Sequence, residues 1–308
     1  MNRPAPDFEA RVYTPHRIAA VVDTLVEDGV APAHALAGSG IEETALRSPD
    51  MRVSLGQIAV VFRNALRLAP DPTIALRAGA RMRITSYGMY GYALLSSPTA
   101  AAAADLSVRY HPVAAPGVTL AFSREGLHAV FRYEVLLTPD PADALYRFML
   151  EFSYSAHLAL SRDLYDREYG FAAVRASYAA PAHAEAYRQF LHCPAYFGQP
   201  FNEVELDPAR LDRAPRSPDT STHAMAREMC HQLLADLTHT SGTASLVRRA
   251  LVEQRCRGAF RTSNRWPGRC PWRRGHCAAG SKPRELPTAT SSQRCGARWP
   301  SSTCARPA

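Results

Sequence analysis

The side chains with the most evident chemistry are concentrated in WPGRCPWRRGHC, residues 266–277, which hold two cysteines, one histidine, two tryptophans and three arginines. Cysteine and histidine bind zinc, but structural zinc sites usually pair ligands two to four residues apart. His276 has no spaced histidine partner, and no C-x₂-C pair occurs among the five cysteines of this region, Cys256, Cys270, Cys277, Cys295 and Cys304. We therefore expect no metal. Arginine with tryptophan can bind single-stranded nucleic acid weakly, by charge and stacking.

Residues 1–254 contain none of the short motifs that mark common catalytic sites. There is no P-loop, no H-E-x-x-H and no G-x-S-x-G, so we expect neither an enzyme nor a cofactor. Gly88-x-x-Gly91 is an incomplete phosphate-loop pattern, and it is more typical of close helix packing. Cys193 and Cys230 are expected to be partly buried thiols without a chemical role.

The same region offers residues suited to a small-molecule pocket, where aromatic side chains with polar tips are useful. The candidates are Tyr90, Arg109, Tyr110, His111 and Tyr133. Arg109 can pair with a ligand carboxylate. The alternatives also stay open: the tyrosines can serve as walls of the core, and Arg109 can belong to a structural ion pair.

The net charge of +8 is unevenly distributed along the chain. Residues 255–308 hold twelve basic residues and one acid, Glu285, which gives +11 and leaves −3 for residues 1–254. A basic charge therefore gives no reason to expect nucleic acid on the first 254 residues. The N-terminus lacks the apolar run of a signal peptide, and no segment is long and apolar enough to span a membrane. We expect a cytoplasmic protein, in which disulfides are not favoured.

The apolar spacing indicates an α+β fold with a helical first part, an antiparallel hairpin and further long helices. Helices are predicted at 15–28, after Ser54, and from the alanine run 100–104 to about 111. The strands of the hairpin are predicted at 118–123 and 127–137. A long helix around Phe148, strands at 171–178 and 201–206, and a helix at 181–191 should follow. A last helix should bury Ala226, Cys230, Leu233 and Leu237 and end near Ser241-Gly242.

Residues 255–308 have the composition of a disordered tail, because Phe260 and Leu286 are their only large aliphatic or phenylalanine side chains. A shift of reading frame explains that composition. If the frame slides back one base, every Cys and Trp codon becomes one for Leu, Val or Met. Allowed codons then give strings such as MAPRTLRRRLEAEGTSY, which have the pattern of a helix-turn-helix.

That recovered string resembles the DNA-binding domain of AraC/XylS-type transcription regulators, and SLVRRALVEQ, residues 245–254, resembles its first helix. We infer a frameshift near Gln254–Arg255. Independently, SYGMYGYALLSSPT (86–99) and PAHAEAYRQFLHCPAYFGQPFNEVELDPARLD (181–212) resemble the N-terminal ligand-binding domain of the branch named for arabinose. That label does not by itself predict a sugar.

The resemblance implies three regions: a ligand-binding domain at 15–211, a linker helix and the start of a DNA-binding domain at 212–254, and a frameshifted tail at 255–308. It also implies an unidentified small-molecule effector, a homodimer and no membrane association. DNA is the further partner that the resemblance implies, but DNA binding should be impaired here because no DNA-reading helix is intact.

Two hypotheses about function follow. The first is a ligand-responsive transcription regulator, and the second is a stand-alone sensor or dimerisation module.

Overall fold

The computed structural model of the chain describes residues 7–125 and 128–240, which form an α+β fold of nine α-helices and one five-stranded sheet. The helices are α1 (His16–Glu27), α2 (Pro32–Ala35), α3 (Leu55–Leu68), α4 (Ile74–Ala80), α5 (Gly88–Leu95), α6 (Ala100–Ala114), α7 (Ala144–Leu164), α8 (Ala184–Leu191) and α9 (Thr220–Thr240). Short 3₁₀ helices occupy Glu43–Arg47, Ile84–Tyr87 and Pro208–Arg210.

The strands are β1 (Val118–Glu125), β2 (His128–Val135), β3 (Ala173–Arg175), β4 (Ala195–Tyr196) and β5 (Asn202–Leu206), in the spatial order β1-β2-β5-β3-β4. β1 and β2 form the predicted antiparallel hairpin, with Val118 opposite Val135. β5 pairs antiparallel with both β2 and β3, while β4 pairs parallel with β3. The strands predicted at 171–178 and 201–206 are therefore present but shorter. β4 was not predicted, because two residues show no alternation.

The helix starts follow from the local sequence. Ser54 caps α3 in a capping box: its hydroxyl accepts a hydrogen bond from the Gln57 amide, and the Gln57 side chain accepts one from the Ser54 amide. Thr99 caps α6 by accepting a hydrogen bond from the Ala102 amide. α6 extends beyond the predicted end near residue 111, with Pro112 in its last turn.

The core is built around α7, the 21-residue helix whose side chains are buried on almost every face. Phe62 of α3 contacts Phe148 and Phe152 of α7, with ring centroids 4.7 and 5.8 Å apart. α7 also packs against α4, α8 and β2. It therefore connects the helical first part of the domain to the sheet.

α9 packs through small side chains, which corrects one expectation. Ala226 and Cys230 are buried as predicted, but Leu233 is 43% exposed. Leu234 instead packs against the core, four residues after Cys230 and eight after Ala226, which places the three on neighbouring turns of the same side of α9. The predicted end at Ser241-Gly242, and every prediction made for residues 255–308, lie outside the described residues. No helix in the described part is long and apolar enough to cross a membrane.

Candidate functional site

A cavity of about 830 Å³, a volume that includes its opening to solvent, lies between α5, α6, α7 and the β1–β2 hairpin. One wall is a single face of α7, formed by Ser153, Ala156, His157, Leu160, Ser161 and Leu164. Another is α6, which contributes Ala100, Ala103, Ala104, Ser107 and His111. Both sets recur every three or four residues and so share one side of their helix. The alanines of α6 fill little space, which leaves the cavity open.

The hairpin closes the cavity with Leu120, Phe131 and Tyr133, residues that point to one side of the sheet. The Tyr133 hydroxyl is hydrogen-bonded to Nδ1 of His157 on the facing helix. Burial lowers the pKa of His157 to about 4, so its imidazole is neutral at pH 7. This pair therefore offers a ligand neutral polar groups and no charge.

Four more tyrosines, Tyr87, Tyr90, Tyr165 and Tyr169, line the cavity. Burial is the main cause that raises the pKa of each, to about 12 for Tyr87 and Tyr169, so the hydroxyls remain protonated. The Tyr165 and Tyr169 rings are stacked with centroids 5.0 Å apart. The site can thus hold an apolar or aromatic body and hydrogen-bond to it at a few points.

Arg17 of α1 supplies a positive charge to the cavity lining. Its side chain is buried, and its guanidinium carbon lies 4.6 Å from the centroid of the Phe152 ring. Burial lowers the pKa of Arg17 to about 10, and the nearby Tyr87 partly opposes this shift, so the guanidinium remains charged at pH 7. None of the described residues that line the cavity is aspartate or glutamate.

The structure brings three of the five predicted ligand residues to the cavity: Tyr90, His111 and Tyr133. The other two lie outside its lining. Arg109 is exposed on α6, with its guanidinium carbon 5.4 Å from the Tyr110 ring centroid, and Tyr110 is buried in the core. Whether any of the five binds a ligand stays a prediction.

Sequence reasoning missed Arg17 and His157, although a signal existed for both. Arg17 stands beside Ile18 and four residues before Val21, on the side of α1 that apolar spacing assigns to the core. His157 follows Ala156 on the buried face of α7. A charged or polar side chain on a predicted inner face is the kind of residue that marks a pocket.

Two of the helices that line the cavity, α5 and α6, also pack against α9. Its His223 Nδ1 lies 3.0 Å from the Ala93 carbonyl oxygen and 3.4 Å from the Ser97 hydroxyl. The segment before α9 is also attached to the cavity wall, since the amides of Ala100 and Ala101 donate to the carbonyls of Arg213 and Leu211. A ligand that shifts α5 or α6 would therefore act on α9.

The two glycines of the Gly88-x-x-Gly91 pattern have different reasons: Gly88 adopts a φ of +54° with nothing within 4 Å of an added Cβ, whereas Gly91 of α5 is required by close packing. A Cβ atom at Gly91 would lie 2.1 Å from the Ile84 carbonyl oxygen, so the preceding turn approaches the helix too closely for any side chain. This contact confirms close packing as the reason for the glycine. Within residues 7–125 and 128–240, no group of three or more histidine, cysteine or acidic side chains is arranged to hold a metal ion.

Comparison with known families matches residues 29–215 to the arabinose-binding N-terminal domain of AraC transcription regulators. Among individual proteins, the chain is 27% identical over 253 residues to an ornithine utilization regulator from Pseudomonas aeruginosa, covering 80% of this chain and 72% of that protein. It is 26% identical over 230 residues to an HTH-type transcriptional regulator from Mycobacterium tuberculosis, covering 73% of this chain and 66% of the relative.

Among solved structures, the fold is similar to that of the transcriptional regulator CdpR from Pseudomonas aeruginosa. The TM-score is 0.56 at 14% sequence identity, and the match covers 80% of this chain and 72% of that one. At this identity the similarity concerns the fold. The chain thus spans about two thirds to three quarters of the length of each of these proteins.

Proposed function

Because the chain belongs to the AraC transcription regulators that carry this N-terminal domain, we propose that residues 15–211 bind a small-molecule effector in the cavity and signal through α9. The relatives it matches are transcription regulators, not enzymes. The observation that carries the proposal is the position of α6, which lines the cavity with one face and contacts α9 with another. A shift of α6 on effector binding would therefore change the orientation of α9.

The lining of the cavity favours an effector with a substantial apolar part. Leucine, alanine and aromatic side chains supply most of the wall surface, and several polar groups of the lining already bond to one another, as in the Tyr133–His157 and Arg17–Ser153 pairs. A sugar presents hydroxyls on all sides, each of which needs a partner when buried. The Pseudomonas relative is named as an ornithine utilization regulator, so amino acids are a second class of effector to test.

A thermal-shift panel tests this part of the proposal. Carboxylates, amino acids, amides, amines and sugars, L-arabinose included, are added separately to the full chain. A ligand at 100 times its Kd stabilises the folded state by about 2.7 kcal/mol, which raises the melting temperature measurably. Ala104→Trp, which places an indole in the cavity, should abolish the shift, whereas Arg109→Ala, on the exposed side of α6, should retain it. Equal shifts in wild type and Ala104→Trp would contradict the proposed site.

For the DNA-binding function, we propose that residues 255–308 replace a helix-turn-helix domain through a shift of reading frame. The support is the tail's +11 charge, its near lack of large apolar residues and the string recovered from the shifted frame. The alternative function, a sensor or dimerisation module without a DNA reader, follows if the shift is real. Sequencing the gene across codons 250–260 distinguishes a genuine insertion or deletion from a reading error.

A salt titration tests the same point on the protein. The chain should bind operator and scrambled DNA equally and weakly, with steep salt dependence from counterion release. A version restored by one base should prefer the operator, with half-sites about one helical turn apart. Discrimination of more than about tenfold by the present chain, or roughly 1.4 kcal/mol, would refute the frameshift proposal.

We propose in addition that the protein is a homodimer that uses α9. Met225, Met229 and Leu233 are exposed by 60, 41 and 43%, and their spacing of four residues places them along one stripe of the helix. Exposed apolar stripes of this kind typically serve as contact surfaces. Met229→Glu should shift the protein to monomer in sedimentation experiments, and a monomeric wild type at tens of micromolar would contradict the proposal.

A further inference from the structure

We propose that Arg17 is the anion-binding group of the cavity, and that the effector is a monocarboxylate with an apolar body. This inference rests on the proposed function, since it names the chemical class of the effector for the same cavity. It is carried by the position of Arg17 in the lining, by its hydrogen-bond partners and by the absence of acidic side chains from the described lining residues.

Arg17 is held rigidly and keeps unused donors. Nη1 donates a hydrogen bond to the Pro116 carbonyl oxygen at 2.8 Å, and Nη2 donates one to the Ser153 hydroxyl at 3.3 Å. Nε is buried and has no hydrogen-bond partner in the described part of the chain. A guanidinium has five N–H groups in a planar fork, so these two contacts leave donors for a ligand.

Among the described residues, no carboxylate balances the charge of Arg17. No ion pair joins it to a carboxylate within the described residues, and its neighbours are the Phe152 ring, the Pro116 carbonyl and the hydroxyls of Ser153 and Tyr87. An arginine that is only 2% exposed without a counter-ion is unfavourable in the empty state, since buried charges are normally paired. A carboxylate bound in the cavity would supply the missing partner.

The charges in the cavity also limit the class of anion. Arg17 is the only arginine or lysine among the described lining residues, and the partly buried His157 is neutral at pH 7. One guanidinium matches the geometry of one planar carboxylate, whereas a phosphate dianion would need further cationic donors. An ammonium group would find no carboxylate among the described lining residues, which disfavours diamino acids as ligands.

The other walls of the cavity indicate the chemistry of the rest of the ligand. Ala103 and Ala104, Leu160 and Phe131 present apolar surface, and neutral hydroxyls lie at Tyr87 and Tyr133. An aryl or alkyl chain attached to the carboxylate would bury against this surface. We therefore expect arylalkanoates or medium-chain fatty acids to bind better than compact polar acids.

The test is isothermal titration calorimetry on the full chain with four probes: 3-phenylpropanoate, octanoate, the uncharged 3-phenylpropanamide and the cationic 3-phenylpropylamine. At least one of the carboxylates should bind with Kd below about 1 mM, and the phenyl carboxylate should bind at least tenfold more tightly than its amide, a difference of about 1.4 kcal/mol. In Arg17→Gln, confirmed as folded by circular dichroism, the affinities of the phenyl carboxylate and its amide should differ by no more than about threefold. Arg17→Lys, which keeps the charge but loses the fork, should give an intermediate ratio.

The comparison of carboxylate, amide and amine in wild type needs no folded variant, so the inference can fail even if Arg17→Gln does not fold. Amide or amine binding as tight as the carboxylate, a ratio that survives in Arg17→Gln, or no carboxylate binding would each overturn it. If neutral or cationic compounds bind and Ala104→Trp prevents this, the effector cavity stands and only the role of Arg17 is wrong. If no compound of any class binds, both proposals fail.

Discussion

His157 should make the stability of the domain depend on pH between about 6.5 and 4. Its imidazole is partly buried in the cavity wall, and desolvation is the cause that lowers its pKa from 6.5 to about 4. The unfolded chain therefore takes up a proton at higher pH than the folded protein. The contribution of His157 is fully present above pH 6.5 and is lost as the pH falls from 6.5 towards 4.

The size of this loss follows from the two pKa values. At pH 5.0 His157 is nearly all protonated in the unfolded chain and nearly all neutral in the folded protein. The difference of 1.5 pH units from the unfolded pKa, at 1.36 kcal/mol per unit, gives about 2 kcal/mol. Below pH 4 the loss should reach a limit of about 3.4 kcal/mol, set by the full shift of 2.5 units.

Urea denaturation at pH 7.5 and pH 5.0 measures the effect. Wild type also contains His16. Burial, and to a smaller extent the adjacent Arg17, lowers the pKa of His16 to about 3. The wild-type protein should therefore lose more free energy of unfolding between the two pH values than His157 alone accounts for. His157→Gln should therefore lose about 2 kcal/mol less than wild type between the two pH values. His34→Gln, a substitution of an exposed histidine on α2, is the matched control. If His157→Gln keeps the full wild-type difference, the imidazole is not buried and neutral as described.

Two further substitutions test the packing and capping that position the site. Gly91→Ala should reduce the free energy of unfolding by about 1–3 kcal/mol in urea titrations, because the added Cβ would overlap the Ile84 carbonyl oxygen. Gly170→Ala is the control and should be nearly neutral, since nothing lies within 4 Å of its added Cβ. Equal effects of the two substitutions would contradict the close approach at Gly91. Ser54→Ala should cost about 1 kcal/mol by removing the capping box with Gln57, and an unchanged urea midpoint would show that the cap does not stabilise α3.

Much of the fold could be predicted because the relevant signals are local. The alternation around Phe122 and Phe131 indicated the hairpin, and Ser54, a residue type that caps helices, indicated the start of α3. The inward side of α9 was only half predicted, since Leu233 and Leu234 are both apolar. Ala226 and Cys230 precede both leucines at helical spacing, so the choice between Leu233 and Leu234 depends on how α9 packs against α5 and α6, which is a tertiary contact.

The site could be predicted only in part, for a related reason. Tyr90, His111 and Tyr133 attracted notice as residue types that suit a pocket, and the fold places all three at the cavity. Arg109 had the right chemistry for an anion, but its position on α6 faces solvent, whereas Arg17, 92 positions earlier, faces the core. A cavity forms between elements distant in the chain, and its position depends on which small side chains, here the alanines of α6, meet across it.

The central claim is that a ligand in the cavity acts on α9 through α5 and α6. Hydrogen exchange of the full chain, followed by mass spectrometry with and without the compound that gives the largest thermal shift, tests it most directly. We predict slower exchange in peptides from α6 and α7, and also from α9, none of whose described side chains lines the cavity. A compound that binds and protects α6 and α7 while exchange in α9 stays unchanged would contradict the claim.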